Sequence, residues 1–181
     1  MFTRQVTGEI QLALLQPSFA PLYVDLAKGH YDYLEQWLMW PSLNKTAADF
    51  GGFIERSLTE YACGKSMICG IFYQGELVGT AGFNSINQNL KRAEIGYWII
   101  ESVQGLGIVT QVCNHLINIA FNELGMAKVQ LSAAEHNAPS RRVAERLGMV
   151  LEGIVTNAEN LNGRIVDHAV YGLFNGSRSS R

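Results

Sequence analysis

The stretch EIGYWIIESVQGLGIVTQV, Glu94 to Val112, constrains this chain more than any other: an apolar, β-branched run ends in two glycines, and helix-like spacing follows at once. Strand, glycine turn and helix, in that order, bring unpaired backbone N–H groups and the positive end of a helix dipole to one point. That arrangement suits a phosphate. Gly105 and Gly107 lack Cβ atoms, so the turn can take positive φ and a ligand can approach the backbone closely. Two familiar loops fail to match. A P-loop needs GxxxxGK[ST], and no lysine follows these glycines. The dinucleotide fingerprint needs a third glycine where Thr110 stands, and the unit lies mid-chain instead of opening a parallel sheet. A pyrophosphate on a different kind of turn, or a plain tight turn with no ligand, both fit.

The rest of the chain frames that unit. Glu9–Leu15 alternates as a first strand, and the spacing from Phe19 to Gly64 is helical, in pieces broken near Gly29, Pro41 and Gly51-Gly52. SMICGIFYQGELVGTAGFNSI reads as a hairpin turning at Gln74-Gly75, and RAEIGYWII adds a third strand. From Val109 the apolar positions recur at three- and four-residue steps to Leu124, an amphipathic helix stopped by Gly125, with His115 on its polar side. KVQLSAA is a strand. NAPSRRVAERLG is a short helix capped by Asn137, with Pro139 in its first turn and Gly148 at its end. MVLEGIVTNA and RIVDHAVYGLF close the chain as strands linked through Asn162-Gly163. The fold class expected is α/β or α+β: one domain over residues 1–175, a mixed and mostly antiparallel sheet of about seven strands flanked by helices, then a flexible tail over residues 176–181.

Composition removes several function classes. The 181 residues, 48% of them hydrophobic and 17% charged, carry a net charge of −2, which gives no overall field for gripping nucleic acid or an anionic membrane. No run approaches the ~20 apolar residues of a membrane span, and the start MFTRQVTGEIQLALLQP lacks a signal-peptide h-region. The cysteines, Cys63, Cys69 and Cys113, form no CxxC pair and read as small buried hydrophobes of a reducing cytoplasm. His30, His115, His136 and His168 show no metal spacing, so no metal is assigned.

Glu94–Val150 resembles the acetyl-CoA core of the GNAT acyltransferase superfamily, whose [QR]xxGxG/A turn opens a helix; Gln104 and Gly107 match it, and Val109 stands at the last small position. QGLGIVT, EIGYWI, NAPSRRVAERLGM and EGIVTNAENLNGRIVD are similar to the branch that acetylates ribosomal-protein N-termini, the RimJ/RimL type, with Met149 in place of the usual Phe. With YLEQWLMWP near the start, five pieces in order cover nearly the whole chain.

The resemblance implies an N-acetyltransferase moving an acetyl group from acetyl-CoA to a primary amine in a ternary complex. The acceptor it implies is a protein N-terminus; the alternatives are a small amine (polyamine, antibiotic or peptide toxin) or a coenzyme-binding module without turnover. It implies two central parallel strands, EIGYWII and KVQLSAA, splayed at one end. Pantetheine would lie along the backbone of Trp98, Ile99 and Ile100, and the pyrophosphate on Gln104, Gly105, Leu106, Gly107, Ile108, Val109 and Thr110. Asn137 and Ser140 would meet the coenzyme near its sulfur, Ser140 as proton donor, and an N–H near Ile100 would hold the oxyanion. Glu159, placed between the last two strands, is the first candidate for the base, with Glu94 as its rival. An α-amine of pKa ~7.7–8.0 needs no stronger base than a carboxylate. The resemblance also implies that Tyr33, Trp37 and Trp40 would fall on the acceptor side. His136 is a candidate neighbour of the coenzyme, and Arg141, Arg142 and Arg146 are candidates for its ribose phosphate. The final strand is available for a homodimer, as in similar enzymes.

Overall fold

A computed structural model describes residues 2–41 and 45–176; the expected tail beyond Gly176 lies outside the described residues. Eight strands form one sheet in the order β1-β2-β3-β4-β5-β6-β8-β7. They are β1 Thr3–Gln5, β2 Ile10–Leu14, β3 Met67–Tyr73, β4 Glu76–Asn87, β5 Arg92–Ile99, β6 Lys128–Ala134, β7 Val150–Leu161 and β8 Arg164–Phe174. The helices are α1 Ala20–Gly29, α2 Tyr31–Leu34, α3 Ala47–Ala62, α4 Ile108–Asn118 and α5 Ala138–Arg146. The strand beyond the expected seven is β1, three exposed residues on β2 that carry no apolar pattern to read.

Local chemistry explains most boundaries. Gln74-Gly75 and Asn162-Gly163 both place two residues at positive φ, the requirement of a two-residue hairpin turn. Gly125 and Gly148, at φ 64 and 74, end their helices in the left-handed region. Gly51-Gly52 corrects the expected break, because both glycines sit inside α3. The Thr46/Asp49 capping box starts that helix firmly, and Phe50, Ile54 and Ser57 bury one face of it. That packing outweighs roughly 1 kcal/mol of helix propensity lost per glycine. His115 is also corrected: it is half-buried, its Nε2 has no hydrogen-bond partner among the described residues, and burial lowers its pKa. Cys69 and Cys113 are buried, whereas Cys63 is exposed.

Two cores flank the sheet. On one side α4 and α5 pack Ile108, Val112, Leu116 and Val143 against Ile95, Ile99, Val129 and Leu131. On the other, α1 and α3 pack Tyr23, Phe50 and Ile54 with Phe19 and Leu77, and Trp98 and Trp40 close that cluster. The centre of the sheet is drawn tight by glycines. A Cβ on Gly82 would lie 1.9 Å from the Met67 carbonyl oxygen on β3. Among the described residues no helix is long and apolar enough to cross a membrane.

Gly82→Ala must push β3 and β4 apart, and strain of this kind in a packed core costs about 1–3 kcal/mol. Denaturant unfolding should show a loss in that range, and an unchanged midpoint would contradict the close approach.

Candidate active site

β5 and β6 form the one parallel pair among the described strands, and it is short: Arg92–Ile95 pairs with Lys128–Leu131 and no further. Beyond it β5 stays with β4 as far as Ile99, while β6 stays with β8 as far as Ala134 opposite His168. The strands therefore part in the middle of the sheet. A cavity of about 680 Å³ opens there and reaches both faces.

The alternation of side chains along β5 sends Ile95, Tyr97 and Ile99 toward α4 and α5, and Glu94, Gly96 and Trp98 toward α1 and α3. The backbone divides in a second way. The Ile100 N–H donates to the Val78 carbonyl, 2.9 Å, so the amide expected near the oxyanion is engaged inside the sheet. By antiparallel alternation, the main-chain groups of Ile99 and Tyr97 then point away from β4, into the parting.

On the α4 side the cavity is built for an anion. Gly105 and Gly107 both adopt φ 76, and Gly107 caps α4. The first N–H bonded back into α4 is that of Gln111, to the Gly107 carbonyl at 3.1 Å. The amides of Ile108, Val109 and Thr110 precede it at the positive end of the helix. Arg142 and Arg146 of α5 line the same end, and Arg146 reaches the Thr110 hydroxyl at 3.3 Å. Arg141 does not line the cavity: it donates to the Tyr171 hydroxyl and the Glu135 carbonyl, both at 3.0 Å. Leu106 and His136 do not line it either. Asn137 accepts the Ser140 N–H at 3.1 Å, so its oxygen serves as helix cap while both residues face the cavity.

On the other face two carboxylates line the cavity. Glu94 accepts a hydrogen bond from Ser132 across the last rungs of the parallel pair, 3.0 Å. Glu159 lies 3.0 Å from His168 Nε2 and is half-buried. It belongs to β7 itself, not to a loop between strands as expected from the sequence, because β7 runs on to Leu161 and the turn is only Asn162-Gly163. β7 bulges between Val155 and Glu159, where Asn157 takes φ 51 and donates its N–H to the Asp167 carboxylate at 2.9 Å. That bulge sets the direction of Glu159. Asn84, the extra residue of a second bulge in β4, places its amide where a Gly96 Cβ would be, 2.2 Å away.

Tyr33 and Trp37 line the cavity mouth, while Trp40 does not: it packs on Phe50 and Trp98, with ring centroids 5.6 and 5.2 Å apart. The segment carrying Tyr33 and Trp37 is tied down at both ends. Gln104 donates to the Tyr33 hydroxyl. Asn162 donates to the carbonyls of Glu35 and Leu38, 2.9 and 3.1 Å, and Arg164 donates to that of Gln36, 3.0 Å. Sequence reasoning missed Asn84, Tyr97 and His168. Tyr97 sits in the EIGYWI motif and so could have been found there; no local pattern marks the other two.

A through-sheet cleft with an anion cradle on one face and carboxylates on the other fits an acyl donor bearing phosphates and an amine acceptor. The Acetyltransferase (GNAT) domain family matches residues 18–150, and the chain belongs to that family. It is 34% identical over 175 residues to the putative ribosomal N-acetyltransferase YdaF of Bacillus subtilis, covering 96% of this chain and 95% of that one. Its structure is similar to RimL, described as the ribosomal L7/L12 alpha-N-protein acetyltransferase in complex with coenzyme A: TM-score 0.90, 28% identity, 96% and 98% coverage. It is also similar to the microcin C7 self-immunity acetyltransferase MccE in complex with acetyl-CoA and AMP: TM-score 0.88, 29% identity, 94% coverage of each chain. The chain is an acetyl-CoA-dependent acyltransferase, an N-acetyltransferase. Acetyl-CoA supplies the activated acetyl group. Among the described residues no group of His, Cys, Asp and Glu could hold a metal.

Gly107→Val forces a β-branched residue into a left-handed conformation at the helix cap, beside the amides of the cradle. Calorimetry should show coenzyme A binding weakened by roughly tenfold or more, as for a lost contact to a charged group. Unchanged affinity would remove the cradle from the account.

Proposed function

We propose that the acceptor is the α-amine of a protein N-terminus, with Glu159 receiving its proton and Ser140 facing the departing sulfur. The observation that carries this is the pair of carboxylates, Glu94 and Glu159, on the cavity face opposite the anion cradle. A protonated amine is drawn to that face and must lose its proton before it attacks. Glu159 is favoured as the base because its partner, His168, leaves it half-buried at the cavity wall, whereas Glu94 is held by Ser132 at the closed end of the parting. The names of YdaF and RimL support a ribosomal protein as the source of the N-terminus. Likeness to MccE favours a second reading, in which a small molecule or peptide antibiotic brings the amine. The pantetheine arm would lie along the free main-chain groups of Tyr97 and Ile99, and the pyrophosphate on residues 105–110.

The near-neutral charge supports a protein that works without holding nucleic acid, in the cytoplasm where acetyl-CoA and ribosomes meet. One domain carries all of this. The final strand cannot pair across a two-fold axis as expected, because β8 lies between β6 and β7; it is the outer edge of β7, a strand that exposes Val150, Leu151, Ile154 and Val155, that supports a homodimer.

Transfer assayed by mass against N-terminal peptides and a panel of small amines should add one acetyl group to the peptides. Acetylation confined to small amines would shift the reading to the second one, and none at all would leave a coenzyme-binding module. Glu159→Gln should lower kcat by roughly 10²–10⁴ with little change in coenzyme affinity. Full turnover in that variant, with loss in Glu94→Gln, would exchange the roles of the two carboxylates.

A further inference from the structure

The Tyr97 side chain has no role in the proposed transfer, yet its hydroxyl is a buried polar atom without a partner. It lines the cavity on the α4 and α5 face, it is sealed from solvent, and it makes no hydrogen bond. Ser140, in the first turn of α5, lines the same cavity and makes no hydrogen bond to the Tyr97 hydroxyl. A buried hydroxyl without a partner costs about 1–3 kcal/mol, so a ligand that turns the Ser140 hydroxyl to accept from Tyr97 while donating to the ligand is favoured.

We propose that Tyr97 and Ser140 form a hydroxyl pair that receives the coenzyme sulfur, with Tyr97 as a hydrogen-bond donor that stabilises the leaving thiolate through Ser140. This rests on the proposed direct transfer. As the amine nitrogen bonds to the acetyl carbon, the carbon–sulfur bond breaks and its electron pair stays on sulfur. The amine proton goes to Glu159, and the thiolate takes up a proton from water as the coenzyme leaves. Tyr97 keeps its own proton throughout. Burial pushes its phenol well above the ordinary value; the Cys113 thiol and Tyr33 add to that, and Ser140 and Arg146 oppose it. A phenol so far above a thiol of pKa ~8.5 is a poor proton source and a durable hydrogen-bond donor. Because it acts through Ser140, Tyr97 is a positioning residue.

The test uses coenzyme A without an acceptor, bound to the wild type, Tyr97→Phe and Ser140→Ala, with thiolate absorbance followed against pH. At a pH where the bound thiol is partly ionised, the ratio of thiolate to thiol should fall by roughly tenfold in either variant, the worth of a hydrogen bond to a charged group. Coenzyme affinity should stay within about threefold, and the ligand-free Tyr97→Phe protein should melt no lower than wild type, because the substitution removes an unsatisfied group. In turnover, the double variant should be no slower than the slower single one, as expected of groups acting as a unit. Equal thiolate fractions in wild type and Tyr97→Phe, or losses that multiply in the double variant, overturn the hydroxyl pair. A normal thiolate result with no transfer to any amine would instead strike the proposed function and leave the pair standing. Failure of the wild type to bind coenzyme A would overturn both.

Discussion

The site depends on hydrogen bonds that β5 and β6 stop making. After Ile95 and Leu131 the two strands no longer pair, and each follows its antiparallel neighbour on the other side. Unpaired main-chain groups in the middle of a sheet are unfavourable unless something fills the gap. The fold tolerates the opening because both flanks are secured independently, by β4, whose Gly82 is pressed against β3 and Gly79 against β5, and by the long β7–β8 hairpin. An extended ligand can then complete the sheet, and chemistry placed in the gap is reachable from both faces.

The faces divide the work by sequence parity. One register of β5 supplies Tyr97 to the side where α4 begins and Ser140 waits; the next supplies Glu94 to the side where Glu159 and His168 lie. Bulges make this possible. The extra residue Asn84 in β4 and the bulge before Glu159 in β7 each turn a polar group into the cavity without breaking the strand that carries it. The hairpin also holds the acceptor side: Asn162 and Arg164 grip the carbonyls of residues 35, 36 and 38, so the segment bearing Trp37 is fixed to the element that bears Glu159. Gln104 ties its other end to the anion turn.

Much of the frame was legible because it is local. The alternation in KVQLSAA, the cap at Asn137, the turn at Asn162-Gly163 and the helix after Gly107 each follow from residues a few positions apart, and the structure has them where the sequence puts them. The departures arise from contacts distant in sequence. Gly51-Gly52 stays helical because the buried face of α3 outweighs its glycines. Trp40 shares its helix-like spacing with Tyr33 and Trp37 but is drawn onto Phe50 and Trp98. Glu159 looked like a loop residue because β7 has almost no buried positions to reveal a strand. The main-chain direction at Ile100 depends on pairing register with Val78, which no residue type encodes. His168 and Asn84 gain their places only from a bulge and a cross-strand neighbour.

The most direct measurement is diffraction from crystals holding acetyl-CoA. The account predicts the thioester carbonyl between residues 97–99 of β5 and 132–134 of β6, accepting a main-chain N–H of β5, with its methyl group toward the Glu94 and Glu159 face. Density for the acetyl group outside that gap, or β5 and β6 hydrogen-bonded to one another along those residues, would contradict it.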